Sequence, residues 1–441
     1  MTRGRMATTR MSIDDAIRLH EAGQLREAER LYRATLAAEP HQPDALHLLG
    51  VLLTQTGDYD GAIEHIQAAL AQDGSSVLFQ SSLAHAYFRS GRLEQAIAVL
   101  ERVIRRQPDS FQAFSDLGAA LQESGELESA ITAYRRSIEL NPGLAIVHFN
   151  LGTALKARGH TNDAIECVEQ AVSLDATQAN FSATLAGYYL EADKLEAALR
   201  SCETCLSLAP RNLMALTFKS IALDRLGNRE SAARIVDFDR LIHSRALAAP
   251  AGYRDISEFN DALASHVRSH PTLKSEPLNN ATRYGMHTEN LLVNPSGPIP
   301  ALAKMIDTAV ADYLQSLPLD FDHPYLAHRP SEFKLLMWSV VMNSQGHQLP
   351  HMHPDGWVSG VYYVKLPSEM RAGSGKQDGW IEFGRPLREL TGSWESAVRT
   401  MRPEEGMVVL FPSYFYHQTI PFESTEQRIC IAFDAVPRFQ H

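Results

Sequence analysis

Positive charge, cysteine and long apolar runs are all scarce in this chain of 441 residues. Basic residues number 41 against 52 acidic ones, a formal net charge of −11 at pH 7, which argues against a dedicated nucleic-acid partner. No apolar run approaches the roughly 20 residues that a membrane-crossing helix needs, so no membrane partner is expected. The first dozen residues are basic but lack an apolar core, so 1–11 reads as a short disordered tail and not as a signal peptide. With no export signal, the four cysteines, Cys167, Cys202, Cys205 and Cys430, are expected to be reduced thiols in the cytoplasm. Cys202-x-x-Cys205 has the form of a redox or zinc half-site, but no second pair exists, and core packing is the expectation. Hydrophobic residues at 44% and charged residues at 21% are those of an ordinary globular protein. The length implies two or three domains with ample core.

What the chain does have is a strict period. Gly23, Gly57, Gly91, Gly125, Gly159 and Gly227 recur every 34 residues, with Asp193 in the one vacant slot. Ala28, Ala62, Ala96, Ala130, Ala164, Ala198 and Ala232 keep the same spacing without a gap. Pro40, Pro108, Pro142 and Pro210 recur in phase, with Gly74 and Ala176 at the other two slots. Large residues follow the alanines at Tyr32, Ile66, Leu100, Tyr134 and Val168. A glycine permits a tight turn between two antiparallel helices, an alanine lets them approach closely, and a proline ends the pair.

This pattern resembles the tetratricopeptide repeat (TPR), seven times over, at 12–241. The resemblance implies an all-α solenoid with a concave groove. Groove candidates on the first helix of each repeat are His47, Gln80, His85, Tyr87, Gln112, Asp116, His148 and Asn150. They include no block of lysine, which suits a peptide or protein partner better than a nucleic-acid backbone.

After a segment at 242–257 with the small residues and proline of a linker, the pattern changes. Residues 258–330 hold a helix from Ser257 to Arg268, an irregular stretch with a strand expected at Asn290–Val293, and an amphipathic helix from Pro298 to Leu317. Phe333–Met342 reads as a strand opening a core at 331–437, and Asn343 follows it, within reach of a bound cosubstrate. Next come His347, His351, His353 and Asp355 within nine residues, then Ser-Gly-Val-Tyr-Tyr at 359–363. In an extended segment residues two apart share a face, so His351 and His353 can point into one cavity. Asp355 lies just past Pro354, where the strand should end. Imidazole and carboxylate groups around one point are how a facial iron site begins.

Further ligands lie downstream. His417 follows the Phe411-Pro-Ser413 run. Eleven residues later, alternation puts Arg428, Cys430 and Ala432 on one face of a strand and Ile429, Ile431 and Phe433 on the other. A guanidinium among small residues suits bidentate capture of a carboxylate. Gly379–Phe383 reads as a strand, 368–377 as a mobile glycine-rich loop, and 385–399 as an irregular insertion.

Residues 331–437 resemble the iron(II)/2-oxoglutarate-dependent oxygenases, most closely a bacterial branch with an H-x-H-P…S-G-V-Y-Y…F-P-S…H…R pattern. The resemblance implies a double-stranded β-helix (jelly-roll) barrel with buttressing helices. It implies Fe(II) held by the paired motif and His417, 2-oxoglutarate as cosubstrate with its distal carboxylate on Arg428, and hydroxylation as the outcome. Two registers are open for the paired motif: His353-x-Asp355, slightly preferred because an anionic ligand suits Fe(II), and His351-x-His353. Tyr362 is carried as a cosubstrate-side candidate, with Tyr363 open, because Pro354 and Gly356 break the alternation before them. The fused solenoid favours a peptide or protein substrate. The alternatives are a TPR scaffold with an inactive barrel, or a cupin-like metal barrel that never uses 2-oxoglutarate.

Overall fold

The computed structural model describes residues 13–275, 281–371, 377–392 and 394–438. The expected tail at 1–11, and residues 372–376 of the expected loop, lie outside them. The chain divides into two compact units, Met1–Ala176 and Thr177–His441.

The first unit is five antiparallel helix pairs: Ile13–Glu21 with Leu25–Ala38, Pro43–Thr56 with Tyr59–Gln72, Val77–Arg89 with Leu93–Arg106, Phe111–Glu123 with Leu127–Leu140, and Ala145–Ala157 with Thr161–Leu174. Each in-phase glycine sits between the two helices of a pair with φ between 73° and 88°, left-handed backbone that a β-carbon disfavours. The in-phase alanines are fully buried where the helices cross, and Tyr32, Ile66 and Tyr134 fill the gaps beside them. Small residues on the first helices make that crossing possible: a β-carbon on Gly118 would lie 2.6 Å from the Tyr134 ring. Ser76 and Ser110 cap their helices by accepting from the amides of Phe79 and Ala113.

The second unit begins with two more such pairs, Ala179–Glu191 with Leu195–Leu208 and Leu213–Arg225 with Arg229–Ile235. Asp193, in the vacant glycine slot, takes the same left-handed turn at φ 59°. Cys202 and Cys205 are fully buried and unbridged, and burial pushes their thiols up, Cys205 to about 11. They are core residues, as expected.

Ten strands follow: β1 (His243–Ala246), β2 (Lys274–Ser275), β3 (Thr282–His287), β4 (Glu332–His351), β5 (Val358–Lys365), β6 (Ile381–Phe383), β7 (Arg399–Met401), β8 (Met407–Pro412), β9 (His417–Thr419) and β10 (Arg428–Arg438). They form one curled antiparallel sheet in the order β1-β8-β5-β10-β4-β9-β6-β7, with β3 also on β4 and β2 on β3. This is the expected jelly-roll. The helices Ile256–Arg268 and Ile299–Ser316 buttress it, burying Phe259, Leu263, Ile306 and Val310 in one core with Val341, Ile429 and Phe433.

Two segments differ from expectation. The linker expected at 242–257 contains β1, which pairs with β8 from His243↔Leu410 to Ala246↔Met407. Three of its four residues are exposed, so no apolar alternation betrays it. The expected strand at Asn290–Val293 is a turn, held by the Asn290 side chain accepting from the amides of Leu292 and Met337. The strand lies earlier, at Thr282–His287.

The last helix pair also shares the sheet's core. Leu213, Leu216, Leu223 and Ile235 belong to the same buried cluster as Tyr414 and Phe415. Thr217 donates to the Tyr414 carbonyl at 2.8 Å, and the Tyr414 hydroxyl donates to the Ile235 carbonyl. The last two helix pairs and the sheet form one compact unit, Thr177–His441.

Candidate metal centre

The sheet register brings distant residues together. On β10, alternation turns Arg428, Cys430, Ala432 and Asp434 to one face. Their cross-strand partners include Met342 and Trp338 on β4 and Tyr363 and Ser359 on β5. His351, the last residue of β4, is the direct antiparallel partner of His417, the first of β9. One pocket of about 440 Å³ is lined by all four β10 residues together with His351, His353 and His417.

One ring nitrogen from each of His351, His353 and His417 lies within 4.8 Å of the others. Ring centroids are 4.3 to 5.2 Å apart. In each ring Nδ1 already faces an oxygen: the Leu349 carbonyl at 2.8 Å for His351, Asp434 Oδ1 at 2.7 Å for His353, and the Phe415 carbonyl at 3.0 Å for His417. An imidazole whose Nδ1–H donates leaves Nε2 as a bare lone pair. Burial, then the neighbouring histidines, holds His351 down at about 4 and His417 well below the ordinary range. Neutral imidazole is the form that binds metal.

Arg428 is the other unusual group. Its side chain is 1% exposed. Nη1 reaches only the sulfurs of Cys430 at 3.4 Å and Met342 at 3.8 Å, and the guanidinium carbon sits 5.2 Å from the Tyr363 ring centroid. Among the described residues Arg428 Nε and the Tyr363 hydroxyl have no hydrogen-bond partner of normal geometry, and no carboxylate pairs with the arginine. A buried cation without an anion is costly. Burial also raises the Tyr363 hydroxyl and the Cys430 thiol, keeping both protonated near pH 7.

The expected residues separate as follows. His353 and His417 come together, and His351 is the third member. Asp355 lines the pocket but is exposed and outside the group, because β4 ends at His351 and Asp355 falls in the turn beyond Pro354. Arg428 faces the pocket. Tyr362 does not: it pairs with Ile431 on the opposite face and donates to Asn260 at 2.7 Å, so Tyr363 is the tyrosine of the pocket. Asn343 is exposed and accepts from Gln427, away from the pocket lining. Asp434 was missed, although the alternation through Arg428, Cys430 and Ala432 continues to it.

In the repeats, several groove candidates bond locally. His47 contacts Ser82 Oγ at 2.8 Å, Gln112 donates to Asp116 at 2.8 Å, and the Tyr87 hydroxyl accepts from Gln67 at 2.9 Å. Gln80 donates to the Gly74 carbonyl, and His148 faces the Pro142 carbonyl. His85 is exposed and Asn150 partly so.

Comparison with known proteins agrees with this division. The family model described as "Putative 2OG-Fe(II) oxygenase" matches residues 336–434. Tetratricopeptide repeat models match 14–77, 53–121, 121–159 and 145–178. No curated protein matches. Among solved structures, a crystal structure of MamA is similar over 38% of this chain and 96% of its own, at 26% identity and a TM-score of 0.35. MamA from Desulfovibrio magneticus covers 37% and 93%, at 23% identity and 0.35. A thermophilic TPR protein of Thermus thermophilus covers 41% and 98%, at 23% identity and 0.34.

Proposed function

We propose that this chain, a tetratricopeptide repeat array with a C-terminal 2-oxoglutarate/Fe(II) oxygenase-type domain, is a dioxygenase that hydroxylates a peptide or protein substrate. The observation that carries the reading is the buried, anion-free guanidinium of Arg428 in the same pocket as three converging imidazoles. Three imidazole nitrogens at this spacing fit Fe(II), and a lone buried arginine fits the distal carboxylate of 2-oxoglutarate. His351, His353 and His417 would hold the metal, so the paired motif is read as His351-x-His353. Bound there, iron supplies dioxygen activation at the expense of 2-oxoglutarate, leaving succinate and carbon dioxide.

The chain's own residues do the rest. Arg428 fixes one end of the cosubstrate and Tyr363 offers a hydroxyl beside it. Phe411, packed 4.7 Å from the His417 ring, and Phe383 keep water from that side. The repeats recruit the substrate away from the reacting carbon, in a cytoplasmic setting where the thiols stay reduced.

The test is turnover by the full chain loaded with Fe(II). Consumption of 2-oxoglutarate with equimolar succinate supports the reading. Metal binding without any 2-oxoglutarate consumption would favour the cupin-like barrel. Binding of neither would leave a repeat scaffold with an inactive barrel.

A further inference from the structure

Two motif serines, Ser359 of Ser-Gly-Val-Tyr-Tyr and Ser413 of Phe-Pro-Ser, have no role in the reading above. Both converge on His353. The Ser359 hydroxyl donates to Asp434 Oδ1 at 2.6 Å, the oxygen that faces His353 Nδ1 at 2.7 Å. Ser359 is also the cross-strand partner of Asp434, and its hydroxyl lies 2.9 Å from that of Ser413. The Ser413 carbonyl accepts the backbone amide of His353 at 2.9 Å. Gly356 leaves room for this arrangement, since a β-carbon there would lie 2.6 Å from Ser413 Oγ.

His353 needs such support more than its neighbours. His351 and His417 are strand residues, opposed in one ladder, and their Nδ1 atoms face neutral carbonyls. His353 lies beyond the end of β4, and it alone of the three leans on a carboxylate. The His353 and Asp434 side chains are only 17% and 13% exposed, so water competes little for that bond.

We infer that Asp434 is the positioning residue of His353: it accepts the Nδ1 proton, fixes the tautomer that leaves Nε2 free, and supplies one bond removed the negative charge that an H-x-D site would put on the metal. Ser359 and Ser413 hold Asp434 and the His353 backbone in place. The metal-binding consequence rests on the reading that the three histidines hold iron. The tautomer consequence does not.

The test uses the full chain with Asp434→Ala, Asp434→Asn and Ser359→Ala. The first readout is metal-free: the ring nitrogen-15 shifts of His353 at about pH 8, where an ordinary imidazole is neutral. Wild type should report Nδ1–H, and Asp434→Ala should lose that tautomer in favour of a mixture or Nε2–H. The second is anaerobic equilibrium binding of Fe(II) and Co(II), which should weaken about 10- to 100-fold in Asp434→Ala. Asp434→Asn keeps an acceptor without the charge and should fall between, and Ser359→Ala should weaken binding least. Were Asp434→Ala to misfold, as read by its unfolding temperature, Asp434→Asn carries the test through its weakened metal binding. An unchanged His353 tautomer in folded Asp434→Ala overturns the inference. Unchanged metal affinity alongside tight wild-type binding overturns it too. If wild type bound no metal, the proposed function would fail, while the tautomer measurement would still decide the role of Asp434.

Discussion

The repeat unit and the sheet unit bury their apolar surface by opposite means. In the repeats, each helix packs on the one that follows it, and the same alanine contact recurs at Ala28, Ala62, Ala96, Ala130 and Ala164. Every close approach joins residues near in sequence, so stability is close to a sum over neighbours. In the sheet unit, His353 meets Asp434 across 81 residues, and Thr217 meets the Tyr414 carbonyl across 197. That site is complete only when β4, β5, β9 and β10 are paired. The difference implies that damage in the repeats stays local and graded, whereas damage around the site removes a function at once.

The largest effect expected is loss of the metal. His417→Ala and His351→Ala should each abolish Fe(II) retention and turnover, since two remaining ligands hold iron poorly. Asp355→Ala should keep both, because that carboxylate is exposed and outside the histidine group. Equilibrium dialysis decides it: loss of iron from Asp355→Ala with retention in His351→Ala would restore the H-x-D register.

Nearly as large is the effect of where the chain is cut. A chain starting at Pro250 lacks β1 and the buried Leu213, Leu216 and Leu223, and it should fail to fold cooperatively. One starting at Thr177 should keep its thermal transition. A folded Pro250 chain would show the last repeats to be dispensable and would blur the contrast between the units.

Arg428→Ala comes next. It should weaken 2-oxoglutarate binding by about 2–4 kcal/mol, tens- to several-hundred-fold, with Fe(II) affinity little changed. Calorimetry on the iron-loaded chain reads this directly, and an unchanged affinity would point to a cupin-like site.

Acid should separate the units more gently. Burial holds His287 and His351 down at about 4, and His417 well below its ordinary range. The unfolded chain takes up protons near pH 6.5 and the folded metal-free chain does not, so their contribution is complete above that pH. It is then lost, at about 1.4 kcal/mol per pH unit for each group, as pH falls toward 4. Metal-free thermal melts should therefore drop below pH 6.5, and a flat profile from 7 to 5 would show these imidazoles to be solvated.

The smallest effects belong to the groove. His85→Ala and Asn150→Ala should slow turnover of the natural substrate and leave substrate-independent succinate release intact. A fall in both rates would mean the repeats act on the barrel and not on the substrate.

How much could be read in advance follows from the same contrast. The 34-residue period fixed even the odd turn at Asp193, because helix pairing is set by residues close in sequence. The face of β10 was equally legible from alternation. Registers were not: whether Tyr362 or Tyr363 faced the pocket depended on the pairing of β5 with β10, which no local pattern encodes. Asp355 drew attention by lying near His353 in sequence, while the carboxylate that meets His353 arrives from another strand. β1 was missed because three of its four residues are exposed and show no apolar alternation.

The most direct measurement is an anaerobic optical titration of the Fe(II)-loaded full chain with 2-oxoglutarate, following the coloured charge-transfer band of an α-keto acid chelated to ferrous iron. The band should grow to one equivalent in wild type and in Asp355→Ala, require far more 2-oxoglutarate in Arg428→Ala, and be absent in His417→Ala. A wild-type chain that holds one equivalent of iron in this pocket yet never develops the band would contradict the account.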